Sequence, residues 1–246
     1  MRVEILAESR DVSVAAADAF LDAARDARRE GRPLAWVLSG GTTPLGAYAL
    51  IAEQADALDW SAIDVFFGDE RCVPPDHTDS NFGAANGVLL KRIAGLGARV
   101  HRIRGEINPV DAAAEYDRLV RDFAATRQSP VFDLVFLGMG GDGHTASLFP
   151  DSIAIRENEM WAIPAHSAAL DSWRVTMTPA ALSEARQVVF LVTGSGKADA
   201  LVHTLEGPRD INRFPAQAIA PRNGNVRWIV DSYAASKLRG TYQSLT

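Results

Sequence analysis

The chain predicts an α/β fold, an open, doubly wound, mostly parallel sheet with helices on both faces. Three observations predict it. Apolar runs alternate with stretches of helical spacing along most of the 246 residues. The runs are nearly unbroken rather than alternately polar and apolar, the pattern of strands buried on both faces. Several of them stop at glycine-rich loops, and the carboxyl ends of strands are where such sheets bind ligands.

Taken in order, Val3–Ala7 reads as a short first strand. Val12–Arg29 carries apolar and alanine positions at helical spacing and runs into Gly31, a C-cap signal. Leu34–Leu38 is a buried strand leading to Ser39-Gly40-Gly41-Thr42-Thr43-Pro44. There Thr43 can cap a helix and Pro44 suits its first turn, with Leu45–Ala57 continuing it. Ile63–Phe67 is the next strand, ending at Gly68-Asp69-Glu70-Arg71, and the polar, proline-containing Cys72–Ser80 is a loop. Asn81–Ile93 and Val110–Ala125 read as helices. Phe132–Leu137 is a strand interrupted only by Asp133. Trp161–Ala165 and Trp173–Met177 are shorter strands, and Gln187–Val192 is a firmer one. It leads through Gly194-Ser195-Gly196-Lys197 into a helix ending near Leu205. Val226–Val230 is the last strand, with Tyr233–Leu238 helical after it. No repeat, low-complexity tract or long linker divides the chain, so one domain spanning 1–246 is expected.

Composition narrows the function. A net charge of −6 with no Lys/Arg block argues against a nucleic-acid surface. The single cysteine, Cys72, excludes an internal disulfide and a cysteine zinc site, and the five histidines show no helical metal-ligand spacing. No metal and no cofactor are therefore expected. The N-terminal MRVEILAESRDV lacks an apolar signal region and no apolar run approaches membrane length, so a soluble cytoplasmic protein without a membrane partner is expected. Nothing resembles a dedicated dimer helix, so a monomer is expected.

Four loops carry the chemistry. Ser39–Thr43 places two glycines and three hydroxyls before a helix N-terminus, where free N–H groups and the helix dipole favour an anion. Gly194–Lys197 repeats the pattern with a lysine that opposes the dipole and so calls for an anionic partner. Neither is a Walker A loop. Gly68–Arg71 sets two acids and an arginine after a buried strand. Gly138-Met139-Gly140-Gly141-Asp142-Gly143-His144 ends the Phe132–Leu137 strand with a proton-transfer residue, and Asp142 lies close enough to orient the His144 imidazole. This loop matches G-x-G-x-x-G, but it is not in the first βα unit and no acid ends the next strand, so it is not read as a dinucleotide site. No G-x-S-x-G elbow supports a serine nucleophile. Acid–base chemistry on a small phosphorylated molecule fits best.

The loops, in this order, resemble the 6-phosphogluconolactonase family: LSGGTTP at Leu38–Pro44, GDER and DSN within Gly68–Asn81, GMGGDGHTASLFP at Gly138–Pro150, RVTMTPAAL at Arg174–Leu182 and VTGSGKADAL at Val192–Leu201. The resemblance covers nearly the whole chain. It implies the sheet shared with glucosamine-6-phosphate deaminases and ribose-5-phosphate isomerases, and hydrolysis of 6-phospho-D-glucono-1,5-lactone in the oxidative pentose phosphate pathway. A deaminase would show a different string at Asp69-Glu70-Arg71 and a different tail after His144. The alternatives are such a deaminase or isomerase, or a sugar-phosphate-sensing domain without catalysis. On the lactonase reading, the Ser39, Gly40, Gly41, Thr42, Thr43 loop, Lys197 and Arg174 hold the phosphate. His144 is the general base, and backbone N–H groups around Gly140, Gly141 and Gly143 face the developing oxyanion. Asp69 and Arg71 bind sugar hydroxyls or set the charge on His144.

Overall fold

Eight parallel strands form the central sheet of the computed structural model, which describes residues 1–222 and 224–244, in the order β11-β1-β10-β9-β6-β2-β3-β5. The first half of the chain supplies β1 (Arg2–Leu6), α1 (Ser9–Arg29), β2 (Leu34–Leu38), α2 (Thr42–Glu53), β3 (Ile63–Phe67), β4 (Asp69–Arg71), α3 (Asn81–Ala85), α4 (Lys91–Ile93) and β5 (Arg99–His101). The second half supplies α5 (Pro109–Ala125), β6 (Phe132–Leu137), β7 (Ala162–Ser167), β8 (Ser172–Met177), α6 (Pro179–Leu182), β9 (Ala185–Val192), α7 (Ala198–Glu206), β10 (Asn225–Asp231) and β11 (Gln243–Ser244).

Helices cover both faces, as expected. Trp36 on β2 packs on Phe20 of α1, 4.3 Å between ring centroids, and on Tyr48 of α2, at 5.5 Å. Trp36 pairs in register with Val65, so the next residue, Phe66, points to the opposite face, where it meets Phe123 of α5 at 4.7 Å. The buried strands β2, β3 and β6 have no exposed position, which is why their sequences run apolar without alternation.

The expected strands Trp161–Ala165 and Trp173–Met177 do not join this sheet. β7 and β8 form an antiparallel hairpin, and β8 pairs with β4, the Asp69–Arg71 segment that the sequence reads as loop. Three polar residues carry no strand signal of their own; pairing with β8 makes them a strand. The edge strand β5 is equally silent, because its residues are mostly exposed and polar at both ends. Asn81–Ile93 is one helical stretch, with a π-helical segment Asn86–Leu90 between α3 and α4. After β10 the chain forms a 3₁₀ turn, Ala234–Lys237, rather than an α-helix. Gly31 ends α1 with φ +66°, the left-handed geometry its position implied.

Candidate active site

β9, β6, β2 and β3 are neighbours in the sheet, so the four loops that stand far apart in sequence emerge side by side at one edge. They enclose a cleft of about 330 Å³ lined by Ser39–Pro44, Asp69, Arg71, Gly138–Gly140, His144 and Lys197, together with Asn81, Ala146 and Thr193.

One end of the cleft is built for an anion. α2 begins at Thr42, capped by Gly41 at φ +98°, so Gly41 and not Thr43 makes the turn into the helix. The Thr43 hydroxyl instead bonds that of Thr193, 2.7 Å away, joining the first glycine loop to the loop after β9. Two further groups hold the strand ends. The buried Tyr48 hydroxyl donates to the Ser39 carbonyl at 2.8 Å and accepts from the Ser39 N–H at 2.9 Å. Buried Asp231 accepts from the Gly194 N–H at 3.0 Å and the Ala234 N–H at 2.7 Å. The first N–H groups of α2 lack intrahelical acceptors, and Lys197 makes no ion pair among the described residues.

His144 stands at the floor. Its Nδ1 lies 2.6 Å from Asp142 Oδ1, and its backbone N–H donates to the same oxygen at 3.1 Å. Burial works against ionising Asp142, but the charge and hydrogen bonds of His144 prevail and hold its carboxyl below the ordinary range. Bonded at Nδ1, the imidazole presents Nε2 for proton transfer. The loop backbone closes behind it, with the Gly140 N–H donating to the His144 carbonyl at 2.8 Å and the Gly143 N–H to the Gly140 carbonyl at 3.1 Å. These two N–H groups are therefore spent inside the loop and are not oxyanion donors, contrary to the sequence expectation. Gly140 is needed for space: a Cβ there would lie 2.1 Å from His144 Nδ1. Gly141 and Gly143 do not line the cleft; Gly143, at φ +86°, packs on Phe214, and Gly141 faces the Gly196 carbonyl.

Asp69 is buried in the wall, where Ser147 Oγ donates to it at 2.6 Å and Asn81 Nδ2 at 3.2 Å. Its neighbour Glu70 turns the other way and caps α3. It accepts the N–H groups of Arg71, Asn81 and Phe82, each at 2.7 Å, and the Ser80 hydroxyl at 3.1 Å. Burial pushes the Glu70 carboxyl up against the pull of those bonds. Arg71 lines the cleft and donates to the Asp79 carbonyl. Arg174, expected to clamp the phosphate with Lys197, is not among the residues that line the cleft. It stands directly across from Arg71 on the hairpin and is buried.

Sequence reasoning missed Asn81, Thr193, Ser147, Tyr48 and Asp231. Asn81 and Ser147 lie within quoted motifs, so their place there was a signal; Tyr48 and Asp231 looked like ordinary core and strand-end residues. Gly40 explains Asn81's position, since a Cβ at residue 40 would lie 2.0 Å from Asn81 Oδ1.

The family model for glucosamine-6-phosphate isomerases/6-phosphogluconolactonase matches residues 7–228. The chain is 34% identical over 203 residues to the 6-phosphogluconolactonase of Haemophilus influenzae, covering 82% of this chain and 86% of that one. It is 33% identical over 239 residues to the 6-phosphogluconolactonase of a Nostoc species, covering 96% and 98%. The solved 6-phosphogluconolactonase of Trypanosoma cruzi superposes with a TM-score of 0.85 at 29% identity, covering 97% of each chain.

Proposed function

The chain belongs to the glucosamine-6-phosphate isomerase/6-phosphogluconolactonase family, and from that premise we propose that its cleft hydrolyses 6-phospho-D-glucono-1,5-lactone to 6-phospho-D-gluconate, a step of the pentose phosphate pathway. The observation that carries this reading is the meeting, in one cleft, of an anion-binding helix start with the Asp142–His144 pair. The first supplies a phosphate grip and the second a base.

The phosphate sits against the first turn of α2, with the Thr42 and Thr43 hydroxyls and the Lys197 ammonium completing its partners. His144 Nε2 takes a proton from a water whose oxygen attacks C1. The resulting tetrahedral intermediate collapses with cleavage of the C1–ring oxygen bond, and His144 returns the proton to that oxygen, leaving a hydroxyl. The carboxylic acid then loses its proton to solvent. Asp142 holds the imidazole and stabilises its charged form, as an orienting acid does beside a catalytic base. Asp69, held by Ser147 and Asn81, accepts from a sugar hydroxyl. General base catalysis of this kind contributes about 10²–10⁴-fold.

Deamination of an amino-sugar phosphate is not favoured, since the relatives matched over most of the chain are lactonases. A sensor would keep the phosphate loop without needing the Asp142–His144 pair. Cytoplasmic residence is part of the proposal. It is supported by a single cysteine, as in a reducing compartment, and among the described residues no helix is long and apolar enough to cross a membrane.

The test generates the lactone in situ with glucose-6-phosphate dehydrogenase and follows 6-phosphogluconate through its own dehydrogenase, above spontaneous hydrolysis. Wild type accelerates the reaction. His144→Asn lowers kcat about a hundredfold or more with KM little changed. No acceleration by wild type overturns the reading and makes glucosamine 6-phosphate the next substrate to try.

A further inference from the structure

Arg174 is left without a role by the mechanism above, and its setting is unusual. It is 8% exposed, yet no carboxylate and no hydrogen-bond acceptor among the described residues receives its guanidinium. Its direct cross-strand partner in the β4–β8 pair is Arg71. Like charges directly opposite one another on a sheet destabilise it, and an arginine this enclosed normally has a partner, whereas the guanidinium nitrogens of Arg174 keep only solvent contact. The nearby acids do not resolve this. Asp69 is engaged by Ser147 and Asn81, and Asp79 meets Arg71 through its backbone carbonyl rather than its carboxylate. Burial and the charge of Arg71 together depress the Arg174 pKa, while Asp69 and Asp79 oppose them only in part.

Position adds the second half of the argument. Arg174 stands opposite Arg71, and Thr176 opposite Asp69, so all four side chains share one face of the small antiparallel sheet. Two of them, Asp69 and Arg71, line the cleft. Lys197 follows β9 and Arg71 follows β3, three strand spacings away, or about 14 Å before the long side chains close the distance. The cleft thus has two cationic ends with His144 between them, and its phosphate grip occupies only one.

We propose that Arg71 and Arg174 together bind the carboxylate that hydrolysis creates at C1, so that the cleft recognises its product by both anionic ends. This rests on the lactonase reading and deepens it. The lactone carries one anionic group and the product two. A carboxylate oxygen pair suits the guanidinium fork, which a lysine ammonium does not match. The like-charged pair is relieved when the new carboxylate enters between the two arginines, so product binds in a way the neutral lactone carbonyl cannot.

The experiment measures inhibition of the lactonase by two acyclic probes, 6-phosphogluconate and D-glucitol 6-phosphate, which differ only in a carboxylate replaced by CH₂OH. In Arg174→Gln the inhibition constant of 6-phosphogluconate rises about tenfold or more, the cost of a lost charged hydrogen bond, while that of glucitol 6-phosphate stays near wild type. Arg174→Lys restores part of the affinity, keeping charge without the fork. The ratio of the two constants is read within one preparation, so a smaller folded fraction does not alter it. If both constants rise together, Arg174 grips the phosphate and the proposal falls. If neither moves, it also falls. If wild type neither hydrolyses the lactone nor is inhibited by either probe, it is the lactonase reading itself that fails.

Discussion

The chemistry at residue scale rests on a few contacts of high cost. Gly140 is the sharpest case, because its missing side chain is the space occupied by the His144 ring and the Asp142 carboxylate, 2.1 and 2.5 Å from where a Cβ would stand. Gly140→Ala must push the ring off its partner. The expected result is a fall in kcat of about a hundredfold, comparable to loss of the base, with KM little altered; steady-state kinetics beside a thermal melt check it. A variant with wild-type kcat would mean that the pair need not be held as it is seen. Lys197 sits differently, at a half-exposed helix start with no ion-pair partner among the described residues. Lys197→Ala removes a charge that meets only ligand. KM rises about tenfold, in line with a charged hydrogen bond, and the melting temperature stays near wild type or rises slightly, since a cation at a helix start opposes the dipole. A large drop in melting temperature would assign the lysine to the fold instead.

At the scale of elements, the informative piece is the edge strand β5. It is three residues long, polar at both ends and mostly exposed, and besides its backbone pairing Asp64 ties it to β3. That buried carboxylate receives Arg99 through Nε at 2.8 Å and Nη2 at 2.7 Å, and His101 Nε2 lies 2.9 Å away. Burial alone would raise its pKa, but the hydrogen bonds from His101 and Arg99 and their charges outweigh it and bring the carboxyl to about 2. A folded-state pKa below the ordinary carboxylate value contributes stability that is present above about pH 4 and is lost as pH falls through about 2. Asp64→Asn therefore lowers stability at neutral pH by about 2 kcal/mol and flattens the acid loss between pH 4 and 2. Denaturant melts from pH 2 to 7 decide this; parallel curves for the two proteins would show that the cluster adds nothing. The short β4 makes the complementary point. It exists because β8 pairs with it, and that pairing presents Asp69 and Arg71 to the cleft while turning Glu70 inward to cap α3.

For the molecule as a whole, the buried apolar residues form one cluster that runs from Val3 on β1 to Ala235 after β10 and includes residues of the β7–β8 hairpin. We expect a single cooperative unfolding transition from a monomer of 26.5 kDa. Calorimetry with sedimentation tests this, and two separate transitions would divide the chain into independent units. Product at a hundred times its Kd adds about 2.7 kcal/mol, a rise in Tm of about 5–10 °C for a chain of this size. The net charge of −6 is no obstacle to an anionic substrate, because Lys197 and Arg71 place positive charge in the cleft wall.

By itself the sequence determined the central parallel sheet, the helices that cover it, and most of the cleft wall: Ser39–Thr43, Asp69, Arg71, Gly140, His144 and Lys197. The reason is local. A strand buried on both faces must be apolar throughout, and a chain that turns sharply at a strand end to meet a ligand needs glycine there, so both leave marks within a few residues. Tertiary structure alone decided the rest. β4 and β5 are strands only because a partner lies alongside, and no property of Asp69-Glu70-Arg71 or Arg99–His101 announces that partner. The spent N–H groups of Gly140 and Gly143 depend on how their loop closes. Most of all, the pairing of Arg174 with Arg71 follows from strand order and register, which are set by contacts between residues more than a hundred positions apart.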